Sequence, residues 1–141
     1  MKNGQVSMDF VVIASVALLF AIFLFELYAQ RADTTRIFIT GTAAQRISDD
    51  VARGITRAWL AGNGSVAHAW VPDSLPNGEP FNLTVRGRQA VVVYPAGQGI
   101  RIASAAAITS NVTSASFTLV PGTGGRALNI TNVNGTMVVA G

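Results

Sequence analysis

Residues 10–25 read FVVIASVALLFAIFLF, sixteen positions in which Ser15 alone lies outside the apolar set. Such a run leaves no polar face for water, the pattern of a helix immersed in lipid or packed among like helices. At 1.5 Å per residue it covers roughly 24 Å, a little less than the roughly 30 Å of bilayer hydrocarbon, so a span needs its flanks. Past Leu27 the pattern turns amphipathic. Ile47, Val51, Ile55 and Trp59 recur at four-residue steps, with Asp49, Asp50, Arg53 and Arg57 mostly off that stripe. Asp49 and Arg53 stand in the i, i+4 order that supports a helix by a few tenths of a kcal/mol. No proline precedes Pro72, and the pattern predicts one helix from about Val6 to Ala61, roughly 80 Å long. Gly41 and Gly54 weaken it by about 1 kcal/mol each relative to Ala, and Gly41 allows a bend near Thr40 to Thr42.

From Gly62 the periodicity shortens to that of strands. The runs are Val66 to Val71, Phe81 to Arg86, Gln89 to Tyr94, Ile100 to Ala107, Ala115 to Val120, Ala127 to Asn132 and Thr136 to Ala140. Gly87-Arg88 and Asn134-Gly135 are hairpin turn signals, and the glycine-rich Gly122 to Gly125 reads as a further hairpin loop. The expected head is an antiparallel meander of four to six strands on the Ile47, Val51, Ile55, Trp59 stripe, with Trp59 in the shared core. The fold class is therefore α+β: a long N-terminal helix, hydrophobic in its first half, followed by a small antiparallel β-sheet head domain.

Composition narrows the function. With 141 residues, half of them hydrophobic and 12% charged, the chain is too apolar for a disordered protein. The absence of Cys excludes disulfide and cysteine-zinc frameworks. The net charge of +3 sets nine scattered Arg and Lys2 against seven Asp and Glu, without a basic patch, so no nucleic acid partner is expected. His68 is the single histidine, too little for a metal site or a His-dependent triad, and reads as a strand residue. Asp49 and Asp50 diverge by about 100° on a helix and read as a solvated face. Asp73 and Glu79 sit in a Pro-rich loop with no visible partner. The Gly122 to Gly125 loop lacks the Lys-Ser/Thr of a phosphate-binding loop. No enzyme activity, catalytic residue, metal or cofactor is expected.

Three readings compete for the apolar segment. It could be a secretory signal with a cut near Ala29, or a plain membrane anchor. Asp9, a carboxylate between the basic leader and the apolar run, fits both badly. Gln5, Ser7, Asp9 and Ile13 follow Gly4 at the spacing Q-x-S-x-[DE]-x-x-x-[apolar]. Here the sequence resembles the class III signal peptide of archaeal type IV pilins, with Asp9 where the family more often has Glu and Ile13 where it more often has Leu. The resemblance implies cleavage between Gly4 and Gln5 by a prepilin peptidase, which leaves the apolar helix in the mature protein. A small residue at Gly4 allows the close backbone approach that such a cut needs. The chain then divides into a leader, 1–4, a long helix, 5–61, and an extracellular β domain, 62–141. The new amine of Gln5 would pair with Asp9 of another subunit or close locally on Asp9 of its own, since an unpaired carboxylate among packed apolar helices is costly; the alternative role of Asp9 is an acid that favours the helix dipole. The implied protein is a pilus subunit, a helical homopolymer serving surface adhesion. It would be membrane-inserted before an assembly machinery moves it to the cell surface. An archaellin-like motility filament subunit, or a secreted or anchored binding domain with an ordinary signal, are the alternatives.

Residues 62–141 carry six charges, sparse for a free soluble surface. Neighbouring subunits or glycans would cover it. N-x-[ST] occurs at Asn63, Asn82, Asn111, Asn129 and Asn134, where seven Asn and 13 Ser or Thr among 80 positions give about one triplet by chance. N-linked glycans are thus expected, with Asn63 and Asn134 in turns and the most accessible.

Overall fold

The computed structural model describes residues 2–97 and 99–141, with the side chains of residues 2–7 outside that description. Helix α1 (Lys2–Leu60) is followed by seven strands among the described residues. They are β1 (Val66–Val71), β2 (Phe81–Arg86), β3 (Gln89–Ala96), β4 (Gly99–Ala106), β5 (Ala115–Leu119), β6 (Arg126–Val133) and β7 (Thr136–Ala140). The protein is α+β, and the chain divides into two compact units, Met1–Arg36 and Ile37–Gly141.

Within the second unit, the helix positions Ala44, Ile47, Val51, Ile55 and Ala58 are buried at three- and four-residue intervals, the spacing that keeps one helical face turned inward. They share one hydrophobic core with Val71, Phe81, Leu83, Val85, Val92, Leu128, Ile130 and Met137. Trp59 does not belong to it: the side chain is 37% exposed. It lies in the last turn of α1, where its ring stands 3.9 Å from where a Cβ on Gly135 of the β6–β7 turn would lie. The ion pair also differs from expectation, since Arg53 pairs with Asp50 at i, i+3 and not with Asp49, which accepts from Gln45 Nε2 at 3.1 Å.

The head is not a meander of four to six strands. Its strands form two antiparallel sheets, ordered β1-β6-β7 and β4-β3-β2-β5. The chain enters the first sheet at β1, builds β2-β3-β4 in the second, adds β5 beside β2, and returns with the β6-β7 hairpin. The Gly122 to Gly125 loop therefore crosses between sheets and is not a hairpin loop. The hairpins at Gly87-Arg88 and Asn134-Gly135 form as expected. Asn134 and Gly135 have φ of 51° and 82°, the paired positive values of a turn whose twist matches the strands it joins.

Gly41 and Gly54 are sites of close approach. A Cβ at Gly41 would lie 3.3 Å from the Tyr94 hydroxyl, and one at Gly54 would lie 2.7 Å from Ile130 Cδ1. Gly41 thus meets the second sheet and Gly54 the first, and helical assignment continues through Thr40–Thr42. Polar anchors reinforce this seating. Ser48 Oγ donates to Ala103 O at 3.3 Å and Gln45 Nε2 to Ser104 O at 3.0 Å, which ties the edge strand β4 to the helix. At the helix C-terminus the Ala58 carbonyl accepts from Ser65 Oγ at 2.6 Å and from buried Asn132 Nδ2 at 3.3 Å, which satisfies a carbonyl with no intrahelical donor.

Candidate functional site

Residues 8–25 of α1 are exposed along their whole length. Phe10 and Phe25 are 71% and 72% exposed, and Ile13 is exposed with them. Water-exposed apolar surface on this scale marks a surface made to be covered, by lipid or by protein. Within the run from Phe10 to Phe25 the single hydroxyl is satisfied internally, Ser15 donating to Val11 O at 2.7 Å within its own helix. By length and composition this helix can cross a membrane. Asp9 is exposed one turn before Ile13. The side chains of Gln5 and Ser7, and with them the Gln5–Asp9 pairing and the Gly4–Gln5 cleavage geometry, lie outside the described residues.

The five sequon asparagines are all exposed, but their amides are differently engaged. Asn63 and Asn134 meet at one end of the head, Asn63 Oδ1 accepting from the backbone N–H of Asn134 at 2.7 Å and Asn63 Nδ2 donating to Asn134 Oδ1 at 3.1 Å. Asn111 Nδ2 donates to Gly135 O at 2.7 Å and to Thr136 Oγ1 at 3.1 Å. In these two the nitrogen that would carry a sugar is already bonded, a fact local sequence could not reveal because it depends on a hairpin 71 residues from Asn63 and 24 from Asn111. Asn82 lies on the outer face of the four-stranded sheet, opposite Val93 and Thr118. Asn129 lies on the outer face of the three-stranded sheet opposite His68. Among the described residues the Nδ2 of Asn82, Asn129 and Asn134 has no protein acceptor.

Asp73, expected to stand alone, has partners. The Gly122 amide donates to its Oδ2 at 2.9 Å and the Ser74 hydroxyl to its Oδ1 at 3.2 Å, which ties the β1–β2 loop to the β5–β6 crossing. The Gly122 amide, helped by Ser74 and the Gly124 amide, holds the Asp73 carboxyl below its ordinary value of 3.8. A depressed carboxyl stabilises the fold fully above the unfolded-chain value, and this contribution is lost as pH falls through the folded value. Asp73→Asn should therefore lower the melting temperature at pH 7, with the difference from wild type shrinking below about pH 4. A difference that stayed constant down to pH 2 would show that the carboxylate charge does not hold the crossing.

Among the described residues no group of three or more His, Asp or Glu converges as a metal site would require. No protein-family model, curated protein or solved structure matches the chain.

Proposed function

We propose that this protein is the structural subunit of an extracellular filament of the archaeal type IV pilus kind, polymerising through its apolar helix. The observation that carries the proposal is the union of an uncovered apolar helix with a head that has a core of its own. An ordinary secretion signal has no reason to be followed by a helix half that seats two sheets, and the carboxylate of Asp9 suits a subunit contact better than a simple anchor. In this reading a prepilin peptidase cuts between Gly4 and Gln5, recognising Gln5, Ser7, Asp9 and Ile13. The Gln5 amine then meets Asp9 of a neighbouring subunit. The precursor sits in the membrane, assembly machinery extracts it, and the mature protein stands at the cell surface as an adhesive pilus. N-linked glycans on the head, at sites among Asn63, Asn82, Asn111, Asn129 and Asn134, would supplement its sparse charge. The subunit is structural, without enzymatic activity or cofactor.

Mass spectrometry of the N-terminal peptide, from protein sheared off the cell surface, tests this directly. The expected mature chain begins at Gln5. A chain beginning near Gln30 would mean that the apolar helix is discarded during secretion, and the filament proposal would fall.

A further inference from the structure

The outer face of the three-stranded sheet carries an exposed aromatic group far along the chain from the apolar run. Trp70 stands there 64% exposed, although an indole is among the costliest side chains to leave in water. It is held in place from below. A Cβ on Gly125 would overlap the indole and come 2.7 Å from its Cε2, so the six-membered ring rests on the bare Cα of the crossing loop. Ala127, opposite Trp70 on β6, leaves the space beside the ring open.

One row along the strands, His68 faces Asn129, with His68 Nδ1 and Asn129 Oδ1 at 2.8 Å. An amide oxygen can only accept, so Nδ1 donates this bond, and Nε2 of the exposed His68 has no protein partner among the described residues. Asn129 Nδ2 and Trp70 Nε1 remain as donors without protein partners among the described residues. Thr131 extends this polar row, and Ala140 flanks Asn129 on β7. The outward positions of the sheet (Val66, His68, Trp70, Ala127, Asn129, Thr131, Val133, with Thr136, Val138 and Ala140) include no Asp, Glu, Lys or Arg.

A fixed aromatic face with hydrogen-bonding groups at its margin, and no Asp, Glu, Lys or Arg among its outward positions, matches one ligand chemistry well. A pyranose has an apolar face of C–H groups and a rim of neutral hydroxyls. The patch is also the wrong size for a stable protein partner. Three strands about 4.8 Å apart, rising about 3.3 Å per residue, give a face of a few hundred Å², against roughly 800 Å² per side in a standard interface. We propose that Trp70, His68 and Asn129 form a platform that binds the face of a neutral pyranose.

The sugar has two sources, a free oligosaccharide or a glycan attached to Asn129 itself. The second is open because Asn129 begins the sequon Asn129-Ile130-Thr131. It turns its Oδ1 to His68 and leaves Nδ2 free, and Trp70 is its diagonal cross-strand neighbour, about 7–8 Å away by ordinary sheet geometry. Neither source depends on polymerisation, so the proposal stands or falls apart from the filament reading.

Two measurements on the full chain test it. Unglycosylated protein in detergent micelles is applied to an array of immobilised neutral oligosaccharides of hexoses and N-acetylhexosamines. Retention that falls at least tenfold in Trp70→Ala, survives in Trp70→Phe and is unchanged in Trp59→Phe identifies a free oligosaccharide as the ligand. Cell-surface protein from the native host, in the Trp59→Phe background, is examined by glycopeptide mass spectrometry and by acrylamide quenching of Trp70. A glycan at Asn129 with Trp70 shielded, and the shielding lost in Asn129→Gln, identifies the attached glycan. If no array retention depends on Trp70 and no glycan at Asn129 shields it, the platform is not a sugar site, whether or not the protein forms filaments.

Discussion

Deleting Val6–Leu27 is expected to convert a protein that needs detergent, lipid or a polymer into a soluble, folded monomer. The removed segment contains the uninterrupted run from Phe10 to Phe25, whose side chains are exposed throughout. At roughly 25 cal/mol per Å² of apolar area, covering fifteen such side chains is worth tens of kcal/mol, far more than any other surface of this chain could offer. What remains includes the whole of the second compact unit, Ile37–Gly141, with its continuous core. The head should therefore keep its sheets, judged by far-UV circular dichroism, and sediment as a single species at micromolar concentration. Full-length protein under the same conditions should aggregate or assemble. Filaments formed by the deletion protein would show that assembly resides in the head, and the apolar helix would have to be reinterpreted as a membrane device alone.

The elements that sequence pattern located best are those whose causes are local. The sixteen-residue apolar run needs only composition, and the turns at Gly87-Arg88 and Asn134-Gly135 need only two residues each. The limits of β1, β2 and β7 agree with their strand-like runs because alternation is a property of the segment itself. What escaped depends on partners far away in the chain. The loop at Gly122 to Gly125 has the composition of a hairpin, yet β5 pairs with β2 and β6 with β1, so the loop changes sheets. Gly41 and Gly54 read as weak points because helix propensity is all that a local view contains. Tyr94 and Ile130, which need the space, are 53 and 76 residues further on. Asp73 lacked a partner in sequence because its partner is a backbone amide, and every residue but proline has one. The sugar platform is the same kind of case. His68, Trp70, Gly125 and Asn129 become neighbours through β1–β6 pairing, and no spacing rule announces it.

Ile55→Ala is the sharpest test of how the helix and the two sheets depend on one another. Ile55 is fully buried and lies next to Gly54, whose missing Cβ leaves room for Ile130 Cδ1 of β6. Truncating it removes three carbons from a core shared by the helix and both sheets, and isoleucine to alanine changes in such places cost about 2–5 kcal/mol. For a domain of about 100 residues with a total stability of roughly 5–15 kcal/mol, this is a large fraction of the whole. The midpoint of thermal unfolding should drop by about 10 °C or more. Leu60→Ala, in the same helix but 71% exposed, should change stability by less than about 0.5 kcal/mol. Both are best measured by urea unfolding of the Val6–Leu27 deletion protein, where the apolar run does not obscure the transition. Equal losses at the two positions would mean that the helix stabilises the head through propensity alone. A large loss at Ile55 only would establish the second half of α1 as the central element of the head's core, with the sheets folding around it.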